Sequence, residues 1–208
     1  MHERSVRTRE AILSGAAEVF GEKGYLGTRL EDVAARRRLS KGAVYFHFAS
    51  KTDLAKAVIA RQADLVPRLI GRLRPRFPQA AGLLTALAQE VARLLADDPE
   101  VRGSFRLLAE RGLVDASVDD PFAAWSAAVE DVLRDAERQG AVPAGTRSAA
   151  VAGLVVSALV GLHHMGEGAV RPKVPGDWPA LLGALLALDS PYDARTSAGA
   201  SAPSRACM

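Results

Sequence analysis

The stretch RRRLSKGAVYFHF, residues 36–48, places positive charges, small residues and aromatic side chains next to one another. A lysine can donate to guanine O6 or N7 or to a phosphate oxygen, and tyrosine and histidine can donate to phosphates. Glycine and alanine leave room for the backbone to approach another molecule. Together these properties favour a surface that binds double-stranded DNA. Its predicted contacts are Arg38, Ser40, Lys41, Gly42, Ala43, Tyr45 and His47.

An alternative interpretation of the same stretch is a solvated, charged helix end with a buried aromatic pair. Helix-turn-helix geometry also occurs in proteins that never contact DNA. The three arginines from Arg36 to Arg38 either add phosphate contacts or lie in solvent. The residue types alone leave both interpretations open.

The elements that position these residues are predicted to be helices. Apolar residues recur at helical spacing, and no alternating strand pattern of useful length is found. A first helix over residues 5–23 would end at Gly24. Its buried face would consist of Ile12, Leu13, Ala16, Val19 and Phe20.

Hydroxyl residues mark the predicted starts of the next two helices. Thr28, with Glu31 three residues later, predicts a capping box for a short second helix. Ser40 would cap a short third helix that begins at Lys41. The connection between them, residues 37–40, then makes a helix-turn-helix, whose last helix fits a major groove.

A fourth helix would begin after Ser50, continue to about Arg74 and be kinked or broken at Pro67. Near its start Lys51 adds positive charge, and the hydroxyl of Thr28 can donate to a phosphate, so both residues join the predicted DNA contacts. Further helices are expected over residues 80–96, 100–112, 120–139, 147–164 and 178–188.

The chain is therefore predicted to be all-α, in two helical units and a tail. A three-helix helix-turn-helix domain would occupy residues 1–50, a larger helical unit residues 51–189, and a disordered tail residues 190–208. Residues 1–51 hold ten Lys or Arg and six Asp or Glu, a net charge of +4, whereas the whole chain carries +3. The basic excess thus lies in the unit predicted to bind DNA.

Composition and motifs exclude several other classes of protein. The single cysteine, Cys207, allows neither an intrachain disulfide nor a cysteine-based metal cluster, which fits a cytoplasmic setting. The most apolar run, residues 149–162, is shorter than the roughly 20 residues that span a bilayer. No nucleophile elbow or P-loop is present, and His163, His164 and Glu167 lack a third ligand at helical spacing. We therefore expect no enzyme activity, metal or cofactor.

Over residues 7–58 the sequence resembles the tetracycline repressor (TetR) family of transcriptional regulators. The resemblance is carried by RTREAILSGAAEVFGEKGYLGTRLEDVA, followed by LSKGAVYFHFASKTDLAKAV. It implies a dimeric regulator that binds a pseudo-palindromic operator. The DNA contacts that it implies are Thr28, Lys41, Gly42, Tyr45, His47 and Lys51.

The turn departs from the family pattern. Arg37 and Arg38 stand where the family usually has Ala-Gly. A left-handed backbone, which suits glycine, costs another residue roughly 1 kcal/mol or more. Either the turn adopts another geometry or Arg38 tolerates the strain.

A second resemblance concerns the larger unit. Residues 119–142, DDPFAAWSAAVEDVLRDAERQGAV, are similar to the γ-butyrolactone receptor group of actinobacterial regulators, in which a tryptophan of this helix lies in the ligand pocket. It implies that residues 51–189 form a ligand-binding and dimerisation domain for a small hydrophobic ligand. The pocket residues expected from it are Gln62, Phe122, Trp125, Val129, Val160 and His163.

The residues of this unit leave alternatives open. Trp125 lies on an apolar stripe, and a tryptophan on such a stripe is usually part of the core. Residues 149–162 are apolar on nearly all faces and must be buried, either inside the chain or in a dimer that the small Gly153, Ser157 and Gly161 would bring close.

Three functions are therefore considered. The first is a repressor released by a γ-butyrolactone-type molecule. The second is a receptor-like regulator that answers an antibiotic or no ligand, because Val160 stands where these receptors often have threonine. A remote third is a small-molecule enzyme with a vestigial helix-turn-helix.

Overall fold

The computed structural model describes residues 2–115 and 120–166 of the chain, and they form helices and connecting loops. The predicted helix over 178–188 and the predicted tail over 190–208 lie outside the described residues. The helices, in chain order, are α1 (His2–Gly27), α2 (Leu30–Arg36), α3 (Lys41–His47), α4 (Lys51–Ala60), α5 (Leu65–Leu73), α6 (Ala80–Asp97), α7 (Pro99–Ala109), α8 (Arg111–Val114), α9 (Phe122–Arg138) and α10 (Ser148–Gly166).

A first hydrophobic core joins α1, α2, α3 and α4. The predicted apolar face of α1 is confirmed, since each of its five residues is fully buried. Val33 of α2 and Val44 of α3 pack on this face, and Leu54 of α4 covers it from the other side. Leu107 and Leu108 of α7 complete the same core, so packing is continuous across residue 50.

The predicted fourth helix is divided in two, but the break does not lie at Pro67. A 3₁₀ segment, Arg61–Asp64, separates α4 from α5. Because α5 starts afresh at Leu65, Pro67 falls within its first turn, where a missing backbone N–H costs little. The proline is thus accommodated by a break upstream of it.

A second core lies between α5, α6, α9 and α10. The predicted stripe of α9 is confirmed, because Trp125, Val129, Val132, Leu133 and Ala136 are all buried in this core. Phe122, at the start of α9, is partly buried and packs against both cores.

The two units meet where α1 crosses α7 at backbone distance. A Cβ added to Gly103 of α7 would lie 1.9 Å from the carbonyl O of Ala17, and one added to Gly21 of α1 would lie 2.7 Å from Gly103 Cα. Only glycine permits this approach, so the crossing fixes how the first unit sits on the second.

The end of α1 is held by Arg106 of α7 and by Glu110, the residue that caps α7. The helix breaks at Gly24, where φ is 70° and ψ is 174°, as the sequence predicts. Arg106 Nη1 donates to the carbonyl O of Gly21 over 2.8 Å, and Glu110 Oε2 accepts from the backbone N of Tyr25 over 2.5 Å. Arg106 also pairs with Glu110. One ion pair therefore binds both the carbonyl O of Gly21, before the break at Gly24, and the backbone N–H of Tyr25, after it.

Burial inside the chain, one of the two alternatives for α10, accounts for only one face of the helix. Val151, Val155 and Leu159 are buried in the second core. The opposite face is open: Leu154 is 54% exposed, and Ser157 is exposed beside it. Within the described residues no helix has the length and apolar character needed to cross a membrane.

The α1–α7 crossing predicts the effect of a single methyl group. Gly103→Ala should lower the free energy of unfolding by about 1–3 kcal/mol, because the added Cβ must push α1 away from α7. Gly71→Ala is the matched control, since a Cβ at Gly71 of α5 meets no neighbouring atom. It should gain about 0.5–1 kcal/mol from helix propensity. Urea unfolding followed by circular dichroism measures both, and a Gly103→Ala protein as stable as the parent would contradict the close contact.

Candidate DNA interface and ligand site

The helix-turn-helix consists of α2, residues 37–40 and α3. Ser40 is the N-cap of α3, as predicted, and its Oγ accepts from the backbone N of Ala43 over 3.1 Å. Val44 and Phe48 anchor α3 in the first core. The hydroxyl of Ser40 still has its proton to donate, which leaves it able to contact a phosphate.

Arg38 adopts the left-handed backbone, with a φ of 53°. Its backbone N donates to the carbonyl O of Ala35, and the N of Leu39 donates to the carbonyl O of Ala34. These two bonds form a Schellman motif, which satisfies the last carbonyls of α2. Of the two possibilities left by the sequence, the structure therefore shows the family-like turn with a strained arginine in it.

The other two arginines of the run face α1. Arg36 pairs with Glu18 and Glu22, at 3.0 and 2.5 Å, and Arg37 pairs with Glu18 at 2.5 Å. The bond from Arg36 lowers the pKa of Glu22 and raises the pKa of the guanidinium. The sequence left two options for these arginines, contact with phosphate or exposure to solvent. The structure shows a third, because both side chains tie α2 to α1.

The predicted contacts on α3 differ in exposure. Lys41 and Gly42 are exposed, Tyr45 is 44% exposed, and Ala43 and His47 are half-buried. The interpretation of these aromatics as a buried pair is therefore wrong. The residue that sequence reasoning missed is Phe46, which is 81% exposed, the highest value among the exposed large hydrophobic residues.

Lys41 is held by a carboxylate from the neighbouring helix. Its Nζ lies 2.5 Å from Glu31 Oε1 and 5.5 Å from the centroid of the Tyr45 ring. The hydrogen bond lowers the pKa of Glu31 and raises the pKa of Lys41. The ammonium at the start of α3 is thus already paired with an anion of the protein.

Two predictions for Thr28 are corrected. The N-cap of α2 is Arg29, whose backbone N donates to Asp32 Oδ2 over 2.9 Å, so only the carboxylate half of a capping box is formed, one residue later than expected. Thr28 is only 1% exposed, and its hydroxyl donates to the carbonyl O of Gly24 over 2.7 Å. This side chain closes the break after α1 and offers no surface to a phosphate.

Lys51 also acts within the protein. Its Nζ donates to the carbonyl O of Tyr25 over 2.9 Å and lies 4.5 Å from the centroid of the Tyr25 ring. The Tyr25 hydroxyl in turn contacts Thr52 Oγ1 at 2.9 Å. The charge predicted to face DNA therefore holds the α1–α2 loop against the start of α4.

In the larger unit, the structure brings Gln62 and Trp125 together. The indole Nε1 of Trp125 donates to the carbonyl O of Gln62 over 2.6 Å. The ring is fully buried, 5.4 Å from the ring of Phe105 and 5.3 Å from that of Phe122, measured between centroids. Gln62 is 7% exposed, and within the described part of the chain its Oε1 has no hydrogen-bond partner.

The remaining predicted ligand residues lie on α9 and α10. Val129 is fully buried on α9, and Val160 is half-buried against the second core from α10. The side chain of His163 lies outside the described residues. Among the described residues no group of His, Cys, Asp or Glu could hold a metal ion.

A helix-turn-helix with Lys41 and Tyr45 exposed on its second helix, joined to a larger helical unit, is the architecture typical of a DNA-binding transcriptional regulator. Residues 12–58 match the family model of bacterial regulatory proteins, tetR family. The chain is 31% identical to the TetR family protein CprB of Streptomyces coelicolor, solved with its operator, at a TM-score of 0.65 over 88% of this chain and 98% of that one. The chain belongs to the TetR family.

Two further relatives indicate which subgroup of the TetR family the chain resembles. A solved γ-butyrolactone receptor, an ArpA-like protein, is 33% identical, with a TM-score of 0.62 over 89% of this chain and 97% of that one. The A-factor receptor protein of Streptomyces griseus is 28% identical over 79% of this chain. This chain spans 56% of the length of that receptor. Because these relatives are regulators, they do not support the third function considered, a small-molecule enzyme with a vestigial helix-turn-helix.

The left-handed turn predicts how position 38 tolerates substitution. Arg38→Gly should be more stable than Arg38→Ala by about 1 kcal/mol, because alanine keeps the strain that glycine relieves. At Arg68, inside α5, the order should reverse by about the same amount. Chemical unfolding of the four variants measures this. Equal stability of the two variants at position 38 would mean that the turn is not left-handed in solution.

Proposed function

We propose that the protein is a ligand-responsive repressor. Two copies bind a pseudo-palindromic operator through α3, and a small hydrophobic molecule of the γ-butyrolactone type releases them. The observation that carries this proposal is the hydrogen bond from Trp125 to Gln62, because it joins the candidate ligand site to the helix that carries the DNA-binding head.

Binding to DNA is supported by the surface of α3. Ser40, Lys41 and Tyr45 present a donor, a cation and an aromatic hydroxyl on one side of a capped helix, and Gly42 lets the backbone approach base edges. The exposed Arg38 extends this surface at the turn, and His47 can donate to a phosphate at its other end. Contacts to phosphate release counterions, so affinity should fall steeply with salt.

Release by a ligand is supported by the position of Gln62. This residue lies in the 3₁₀ segment between α4 and α5, and α4 belongs to the first core. A molecule that displaces the Trp125 ring alters the hydrogen bond from its indole to the 3₁₀ segment. This in turn alters the direction of α4. The ligand must bind the DNA-incompetent arrangement more tightly, and a coupling of roughly 1–3 kcal/mol then acts equally on ligand and DNA affinity.

The chemistry of the site supports a ligand with an apolar body and one hydrogen-bond donor. The rings of Trp125, Phe105 and Phe122 provide apolar surface. A buried amide oxygen without a partner costs about 1–3 kcal/mol, and a donor on the ligand would recover that cost. The similarity to a γ-butyrolactone receptor is the reason for choosing that class of ligand.

A dimer is supported by the open face of α10. Leu154 and Ser157 are exposed on this face, and among the described residues a Cβ built on Gly153 or Gly161 meets no atom within 4 Å. A second copy packed there would cover Leu154 and align two heads on one duplex.

A second candidate function is favoured by Val160. This half-buried residue offers no hydroxyl at the position where γ-butyrolactone receptors often have threonine. A receptor-like regulator that answers an antibiotic would fit this apolar position.

The ion pair of Lys41 predicts an effect on DNA affinity. Glu31→Gln should bind duplex DNA roughly three- to fivefold more tightly at low salt, because the carboxylate no longer competes for the ammonium or repels phosphate. Glu130→Gln makes the same change of charge on α9 and should leave affinity unchanged. Fluorescence anisotropy on duplexes that the protein selects from a random pool provides the measurement. Weaker binding by Glu31→Gln would show that Glu31 positions Lys41 for DNA.

Gln62 predicts a ligand test that does not depend on disrupting the core. Gln62→Met should keep or raise the melting temperature of the free protein, because it removes a buried oxygen without a partner. It should abolish the thermal shift produced by γ-butyrolactones and the release of the selected duplex by the same compounds.

Gln89→Met, an exposed change on α6, is the matched control and should preserve both responses. A panel of butyrolactones, butenolides and antibiotics separates the candidates, since a response to antibiotics alone supports the second function. A butyrolactone response that survives Gln62→Met would place the ligand elsewhere and contradict the proposed site.

A further inference from the structure

Phe46 is an apolar side chain that the protein leaves in water. It is 81% exposed, and its ring touches the edge of His47 at 5.2 Å between centroids. Burial of an aromatic ring is favourable, and the isolated chain gains nothing from this placement. A partner outside the chain that covers the ring would gain this burial.

The helical phase of α3 shows where the ring points. Val44 and Phe48 bind the helix to the first core. With 3.6 residues per turn, Phe46 lies about 180° around α3 from the midpoint between these two anchors. Phe46 is thus the residue directed most squarely away from the protein, with Tyr45 on one flank and His47 on the other.

The surroundings of the ring decide the class of partner. Gly42, one turn earlier on the same side of α3, has open space over its Cα, and Arg38, Lys41 and Tyr45 are exposed elsewhere on the turn and on α3. A polyanion that satisfies these donors and also offers an apolar group is double-stranded DNA. At the base edges of the major groove, that apolar group is the C5-methyl of thymine.

We infer that Phe46 is a specificity-determining residue that reads a thymine methyl group in each half of the bound site. This inference rests on the proposed binding of α3 to DNA. It adds an apolar contact to the hydrogen-bonding ones, and it makes the protein discriminate between thymine and bases without a methyl group at one position of each half-site.

The test replaces thymine by deoxyuridine, which removes the methyl group and keeps every hydrogen-bonding atom of the base edge. Duplexes are first selected from a random pool by the full-length protein, and each thymine of one half-site is then replaced in turn. At one position the replacement should weaken binding by the parent protein about fourfold, the ratio expected for one methyl-sized group.

Phe46→Ala should weaken binding to the thymine duplex and bind the thymine and uracil duplexes equally. Because the side chain is exposed, this variant should melt at the same temperature as the parent. Leu113→Ala removes another exposed apolar side chain, on α8, and should keep the discrimination between the two duplexes. Phe46→Leu should retain part of it.

Two outcomes would overturn the inference. If every uracil replacement is neutral for the parent protein, no thymine methyl group is read. If Phe46→Ala lowers affinity but keeps the discrimination, the ring contacts the sugar–phosphate backbone and another residue reads the methyl group. A selection that enriches no duplex would contradict the proposed function itself, and the inference would fall with it.

Discussion

The contact on which the rest of the structure depends is the crossing of α1 and α7. Gly21 and Gly103 bring the two backbones together without an intervening side chain, and Arg106 of α7 adds bonds to the last carbonyls of α1. Because α1 supplies the buried face on which α2, α3 and α4 pack, the helix-turn-helix inherits its orientation from α7. The DNA-binding head is therefore joined to the larger unit at two places, the α1–α7 crossing and the joint between α4 and α5.

Much of this fold follows from local sequence signals. The stripes of α1 and α9, the caps at Ser40 and Ser50, and the stop at Gly24 were all predictable, because helical spacing, hydroxyl caps and glycine act within a few residues. The family resemblance identified position 38 as one where glycine, with a left-handed backbone, is usual. It did not show whether an arginine there would adopt that backbone. The Schellman bonds of that turn resolve the question in favour of the left-handed arginine.

The parts that could not be predicted depend on distant partners. Arg36 reaches carboxylates on α1 that are 14 and 18 residues away in sequence, and Thr28 is buried by the break after α1. The open face of α10 could not be predicted from helical periodicity, because residues 149–162 are apolar on nearly all faces. Phe46 was missed for a different reason: an aromatic residue is assigned to the core by default, and only its phase relative to Val44 and Phe48 shows that it points outward.

The bond between Trp125 and the joint of α4 and α5 uses a main-chain oxygen, which every amino acid supplies. The side chain at position 62 can therefore change without removing the acceptor that the indole uses. Recognition of the effector would depend on the amide of Gln62, whereas transmission to the head would depend on the backbone beneath it. A lineage could thus exchange one effector for another by substitution at this single position and keep the same switch, which makes the site a natural starting point for engineered sensors.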